Sequence, residues 1–337
     1  MDWFERITGF REVGYDATRR QLEVKGSQLR SSANGKSYSI GELELVSLQA
    51  LRERLKVSGG LPGRLKVSIV TGDVRELHRL PEYSGALFQV ASQFNLLEMT
   101  SPRVTPEQGV TRYQDDGTQG PACAIAAGAA TIYRNYFAPV ANGHGQTSTR
   151  QLDGLSDLGN TLSQAVGQPV EALWCMQNGY ALCSRDGLDA ISRHLESLTQ
   201  DETDTLRGNL RIGVHSDVEV TDAQAPARQF VSQAFCSALP IAYSPVPGVH
   251  WKPFASLVLQ ASYEATMWAA VLNAKRGASG IVLLTGLGGG AFGNDRDWIH
   301  AAMRRALNAA KGFDLDVKLV SYGSPSQALL HMVEDFG

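Results

Sequence analysis

Apolar positions along this chain follow two periods, and each change of period marks an element. Leu65 to Val70 and Gly85 to Ala91 are short runs rich in β-branched and apolar residues, as expected for buried strands. Leu210 to Val214, Ile281 to Thr285 and Val317 to Tyr322 read the same way. Between and after them the spacing shifts to three or four. Leu257, Ala261, Ala265, Trp268 and Leu272 predict a helix over Ala255 to Ala274, and Trp298 to Ala310 and Gln327 to Val333 predict two more. Helix, strand, loop, helix, strand is the layout of an α/β fold with helices packed on a sheet.

Two Asn-Gly pairs predict hairpins. Asn34-Gly35 lies between Gln21 to Ser31 and Lys36 to Ser39, and Asn178-Gly179 between Glu171 to Gln177 and Tyr180 to Ser184. The form of Ser39-Ile40-Gly41-Glu42 is that of a capping box, so a helix carrying Leu43, Val46, Leu51 and Leu55 is expected after the first hairpin. The break Ser58-Gly59-Gly60-Leu61-Pro62-Gly63 divides an N-terminal extension, residues 1–62, from a main domain, residues 63–337. Residues 145–225 read as an insertion in that domain, with a helix whose apolar side holds Leu188, Ile191, His194, Leu195 and Leu198.

At 337 residues and 43% apolar composition the chain can bury a large core. Thirty-one Lys plus Arg against 34 Asp plus Glu leave a net charge of -3 without like-charge blocks, which argues against general nucleic-acid binding. The four cysteines form no CxxC pair and have no His at metal-finger spacing, as expected of reduced thiols, so neither a metal nor a cofactor is expected. The N-terminus MDWFERITGFREV carries no apolar core of signal-peptide length and no apolar run approaches about 18 residues, so a cytoplasmic protein without membrane contact is expected.

The candidate chemistry gathers at strand ends. Gly280 to Asn294, GIVLLTGLGGGAFGN, is a strand running into a glycine loop with a helix starting near Asp295. Such a loop presents unpaired backbone N–H groups to one spot and suits a phosphate. Gly286, Gly288, Gly289, Gly290, Ala291, Phe292 and Asn294 are its candidate ligand residues, with Phe292 either on the ligand or plugged into the core. Gln119-Gly120-Pro121-Ala122 opens a second helix and is either a second anion site or a plain helix start. Asp73, in Thr71-Gly72-Asp73-Val74, either caps the next segment or accepts from a ligand amine. Beyond Ala91, Gln93, Asn95 and Glu98 either face a ligand or satisfy nearby backbone. The polar stretch Thr100 to Thr118, which includes Glu107, is long for a simple connection.

Gly286 to Ala291 satisfies GxGxx(G/A), but it comes late in the chain and no acidic residue ends the next strand, which opposes a dinucleotide-binding Rossmann unit. The loop also lacks the Gly-Lys-Ser/Thr of a Walker motif. Gly72-Asp73-Val74, the strand Gly85 to Ala91 with its following amides, Gln119-Gly120 and Gly286 to Asn294 together resemble the macrodomain family, including its poly(ADP-ribose) glycohydrolase branch. The likeness spans about residues 65–145 and 228–333. It implies a mixed sheet in a three-layer α/β/α sandwich. It further implies binding of ADP-ribose or an ADP-ribosylated substrate and hydrolysis of an ADP-ribosyl bond, with a non-catalytic reader or another dinucleotide (NAD) binder as alternatives. Asp73 would receive the adenine amine, the loop at Gly288 to Gly290 and the helix at Gly120 would hold the diphosphate, and Asn95 and Gln119 would orient the distal ribose. Glu98 and Glu107 are the nearest carboxylates for catalysis. The family's Asn-Ala-Ala-Asn is here Gln89-Val90-Ala91-Ser92, and neither its glycine triplet in the first loop nor the glycohydrolase Glu-Glu pair is present.

Overall fold

A computed structural model describes residues 1–59, 61–223 and 228–336. Gly60 of the boundary segment and the end of the 145–225 stretch, residues 224–225, therefore lie outside the described residues.

Among the described residues, seven strands form one mixed sheet. They are β1 (Glu42–Ser47), β2 (Lys66–Thr71), β3 (Leu87–Ala91), β4 (Arg211–Glu219), β5 (Phe230–Cys236), β6 (Ile281–Leu284) and β7 (Asp316–Ser321), in spatial order β1-β4-β5-β3-β6-β7-β2. β5, β3, β6, β7 and β2 run parallel, whereas β4 is antiparallel to both neighbours. Strand β3 sits at the centre with Leu87 to Val90 buried, which is why it is apolar on both faces except for Gln89, whose amide donates to Thr266.

Side chains alternate across the sheet. Phe88 and Val90, with Phe235 and Leu283, pack against one helix layer: α1 (Val74–Arg79), α2 (Gln119–Ala126) and α3 (Gly128–Tyr136). Leu87, Ala234, Val282 and Leu284 face the other layer, α4 (Gly248–Lys275) and α5 (Arg296–Ala309). Helix α4 is 28 residues long and buried on most sides, which explains its continuous hydrophobicity. The architecture is the expected three-layer α/β/α.

Two expectations change. Leu43 and Val46 lie on an edge strand, β1, and the helix begins only at Leu48, with Ser47 accepting from Ala50 N–H at 3.1 Å. The apolar positions 43, 45, 46 and 48 suit either period, and pairing with β4 decides for the strand. The 145–225 stretch likewise contains β4 and so is only partly outside the sheet.

Both Asn-Gly hairpins form, joining Gln28–Ser31 to Ser37–Ser39 and Trp174–Gln177 to Tyr180–Cys183. Asn178 and Gly179 both have positive φ, 47° and 81°, as a tight two-residue hairpin requires. The N-terminal segment packs onto the main body: Trp3, Phe4 and Ile7 share a core with Leu97, Met99, Tyr113 and Ile125. Glu12 accepts from the N–H groups of Val110 and Thr111, and Trp3 Nε1 donates to Thr111 O. These contacts fix the long polar stretch after Thr100. Among the described residues no helix is long and apolar enough to cross a membrane.

Candidate functional site

The C-terminal ends of β2, β3, β6 and β7 open into a cleft, where parallel sheets commonly hold ligands. It has two lobes that share Ala91, Thr118, Gln119, Gly286 and Gly290. One lobe, about 830 Å³, is bounded by Asp73, Val74, Val320 and Tyr322. The other, about 650 Å³, is bounded by Gln93, Glu98, Asp116, Tyr180, Tyr243 and Phe292. A ligand spanning both must cross the shared strip.

That strip is made of backbone. The Tyr263 hydroxyl on α4 donates to Thr285 O at 2.5 Å and accepts from Leu287 N–H at 3.0 Å, taking the place of a strand partner where β6 ends. The loop then turns on itself through Gly289 N–H to Gly286 O and Asn294 N–H to Gly288 O. Among the described residues, the N–H groups of Gly286, Gly288, Gly290, Ala291 and Phe292 have no acceptor, and neither do those of Gln119 and Gly120 in the first turn of α2. Of these, Gly286 and Gly290 on one wall and Gln119 on the other belong to the shared strip, and the rest line the second lobe.

The glycines differ in what requires them. Gly288 has φ +73°, and a Cβ there would lie 2.4 Å from Ala238 Cβ. At Gly286 and Gly290 φ is not positive, and a Cβ would meet nothing within 4 Å. Neither backbone conformation nor packing demands glycine there. Both line the cleft, so a Cβ would project only into space that a ligand would use.

Glu98 ends the second lobe. Its side chain is buried, Oε1 has no hydrogen-bond partner, and a Cβ on Gly120 would fall 2.2 Å from Oε2. The carboxyl therefore lies against the start of α2. Burial pushes its pKa well above the ordinary carboxylate range; Arg134 opposes this and Asp116 adds to it. Gln93 holds the loop by accepting from Met99 N–H at 2.7 Å and donating to Met99 O, and Leu96, at φ 64°, is fixed by Arg134 Nε donating to its carbonyl at 3.2 Å. Arg134 is itself fully buried, stacked 3.9 Å from the Phe235 ring centre, and burial lowers its pKa to about 10. Gln119 accepts from Ala91 N–H at 2.7 Å and donates to Gln89 O at 2.9 Å, tying α2 to the end of β3.

Of the residues expected from sequence, Asp73, Gln93, Glu98, Gln119, Gly120, Gly286, Gly288, Gly290, Ala291 and Phe292 line the cleft. Asp73 is also a cap, accepting from Arg75 N–H at 2.8 Å. Four do not line it. Asn95 is buried, donating to Gln151 and accepting from Leu97 N–H. Glu107 accepts from the backbone and hydroxyl of Ser148, which, outweighed individually by burial but acting together with its other hydrogen bonds, lower its pKa; it braces a loop. Gly289 turns toward Ile299, 3.0 Å from a built Cβ, and Asn294 donates to Leu239 O inside the loop. Asn95, Glu107 and Asn294 are of types that suit chemistry, but partners distant in sequence, Gln151, Ser148 and Leu239, engage them.

Asp116, Tyr180, Tyr243 and Tyr322 were missed. Tyr180 comes from the Asn178-Gly179 hairpin, whose tip docks on the chain through Phe94 N–H to Gly179 O at 3.0 Å. Its ring lies 5.3 Å from Phe292 and 5.2 Å from Tyr243. Only Tyr322 carried a usable signal, an aromatic just past the end of a strand.

No family model matches the chain, and neither does any curated protein. Solved structures with a similar chain path include poly(ADP-ribose) glycohydrolase from Deinococcus radiodurans, a point variant in complex with ADP-ribose, at 14% identity, TM-score 0.46, covering 87% of this chain and 93% of that one. Poly(ADP-ribose) glycohydrolase from Thermomonospora curvata is similar at 13% identity and TM-score 0.45, over 94% of both chains. The same enzyme bound to the inhibitor ADP-HPD gives 13% and 0.42. The overlap is partial at these values, and the functional reading rests on the residues of this cleft.

Proposed function

We propose that the cleft binds ADP-ribose and that the chain hydrolyses an ADP-ribosyl bond. The observation that carries this reading is the strip of free N–H donors from two walls, flanked by a lobe on each side, with a buried carboxyl at the end of one. The strip suits a diphosphate, and the flanking lobes suit the two ends of an extended dinucleotide-like ligand. Asp73 and the exposed ring of Tyr322 suit adenine in the first lobe; Glu98 and Phe292 suit the distal ribose in the second.

Burial pushes the Glu98 carboxyl well above the ordinary carboxylate range, which favours its protonated form and suits it to act as a general acid. As the bond to C1 of the distal ribose breaks with its electron pair going to the leaving atom, Glu98 gives that atom its proton. Water then adds to C1 and returns a proton to the carboxylate. Arg134, though not in ion-pair contact, favours the transient anion. The unpaired thiols of Cys123, Cys175, Cys183 and Cys236 accord with a reducing, cytoplasmic setting.

Calorimetric titration with ADP-ribose, together with ADP-ribose release from conjugates, tests the reading in the wild type and Glu98→Gln. Both proteins should bind, and only the wild type should turn over. Binding without release by the wild type would make the chain a reader. No binding at millimolar ligand would end the ADP-ribose assignment.

A further inference from the structure

Among the described residues, neither lobe of the cleft is lined by a Lys, Arg or His side chain, and the acidic side chains that line it are Asp73, Asp116 and the buried carboxyl of Glu98. A ligand's phosphates must therefore rely on backbone donors. Beyond the strip, the distal lobe has a distinct chemistry. Tyr243, 38% exposed, and Phe292 form its aromatic wall with ring centres 5.7 Å apart, backed by the buried Tyr180 at 5.2 and 5.3 Å. Asp116 lines the same lobe. One of its oxygens accepts from Thr118 N–H at 2.9 Å, and no cation pairs with it among the described residues. The buried Glu98, with Oε1 unpartnered, completes the lobe. Aromatic faces with a carboxylate and no competing cation are what a flat, positively charged group needs. A second phosphate-bearing unit would meet an acidic wall instead.

We propose that the distal lobe selects ADP-ribosyl conjugates whose C1 substituent is a planar cation. This rests on the ADP-ribose reading above and goes beyond it in naming the leaving group. Two sources share the chemistry, the pyridinium of NAD and a guanidinium such as that of modified arginine.

NAD and NADH differ chiefly in the charge and planarity of one ring, so their affinity ratio reads the lobe even if nothing is turned over. Calorimetry with the full chain should give NAD binding tighter than NADH by about threefold to thirtyfold. Asp116→Asn, which can still accept from Thr118 N–H, should bring that ratio toward one. A purely structural role would weaken both ligands together. In release assays, ADP-ribosyl-agmatine or NAD should be cleaved faster than an ADP-ribosyl-serine peptide or poly(ADP-ribose). Preference for agmatine conjugates assigns the guanidinium, and preference for NAD assigns the pyridinium. NADH binding as tightly as NAD, an unchanged ratio in Asp116→Asn, or faster release from serine or polymer would overturn the proposal while leaving the ADP-ribose reading intact. Failure of ADP-ribose itself to bind would overturn both.

Discussion

Gly290→Glu tests the loop most directly. Position 290 belongs to both lobes, has an ordinary φ, and offers a Cβ nothing within 4 Å, so a glutamate fits without strain and extends into the cleft. A carboxylate brought within roughly 5 Å of a phosphate held on the loop's N–H groups is repelled by about 3 kcal/mol at an effective dielectric near 20, or roughly 200-fold in affinity. Added salt should shrink the loss because this strip is open to solvent. Calorimetry with ADP-ribose measures the affinity, and thermal melting should stay close to the wild type. Gly290→Gln separates charge from bulk and should lose much less. Gly289→Glu is the contrast: its side chain points at Ile299, so it should lower the melting temperature more than it lowers affinity. Wild-type affinity in a folded Gly290→Glu protein would show that no phosphate lies on this loop.

Other outcomes follow from the same contacts. Glu98 has a raised folded-state pKa, so its protonated form contributes stability that is present below the unfolded pKa and lost as pH rises through the folded value; urea melts should show Glu98→Gln gaining on the wild type as pH rises from 4 to 9, and a constant difference would contradict the burial argument. Tyr322, 82% exposed, should give an alanine variant with unchanged melting and roughly fivefold or more weaker ADP-ribose binding, by analogy with base–aromatic stacking. Tyr263→Phe removes the hydroxyl shared by Thr285 O and Leu287 N–H, which keep their own hydrogen bond to each other at 2.8 Å, and should cost about 0.5 to 1.5 kcal/mol in denaturant unfolding while also weakening the ligand. Glu107→Ala should keep its turnover within about twofold of wild type, since Glu107 only braces Ser148, in the usual range for a substitution outside the cleft.

Local patterns in the sequence were enough for four of the five parallel strands, both Asn-Gly turns and the glycine loop, whereas Phe230–Cys236, interrupted by Ser232 and Gln233, was not read as a strand. Buried parallel strands are mostly apolar, and a tight hairpin or glycine loop needs residues that tolerate positive φ or close approach, so these features are written in adjacent residues. Glu98 was visible as a carboxylate beyond a central strand, but Asn95 and Glu107 looked equally suitable. Which of the three faced the cleft depended on hydrogen bonds with Gln151 and Ser148, far along the chain. The edge strand Glu42–Ser47 was likewise undecidable until Arg211–Glu219 paired with it. Above all, the distal wall joins Tyr180 from one hairpin, Tyr243 from a separate turn and Phe292 from the glycine loop. No sequence spacing encodes that meeting; it exists because the hairpin tip docks beside Phe94 and the sheet brings the ends of β3 and β6 together. The chain alone determined that a glycine loop follows a buried strand, and the tertiary structure decided which side chains surround the cleft that this loop lines.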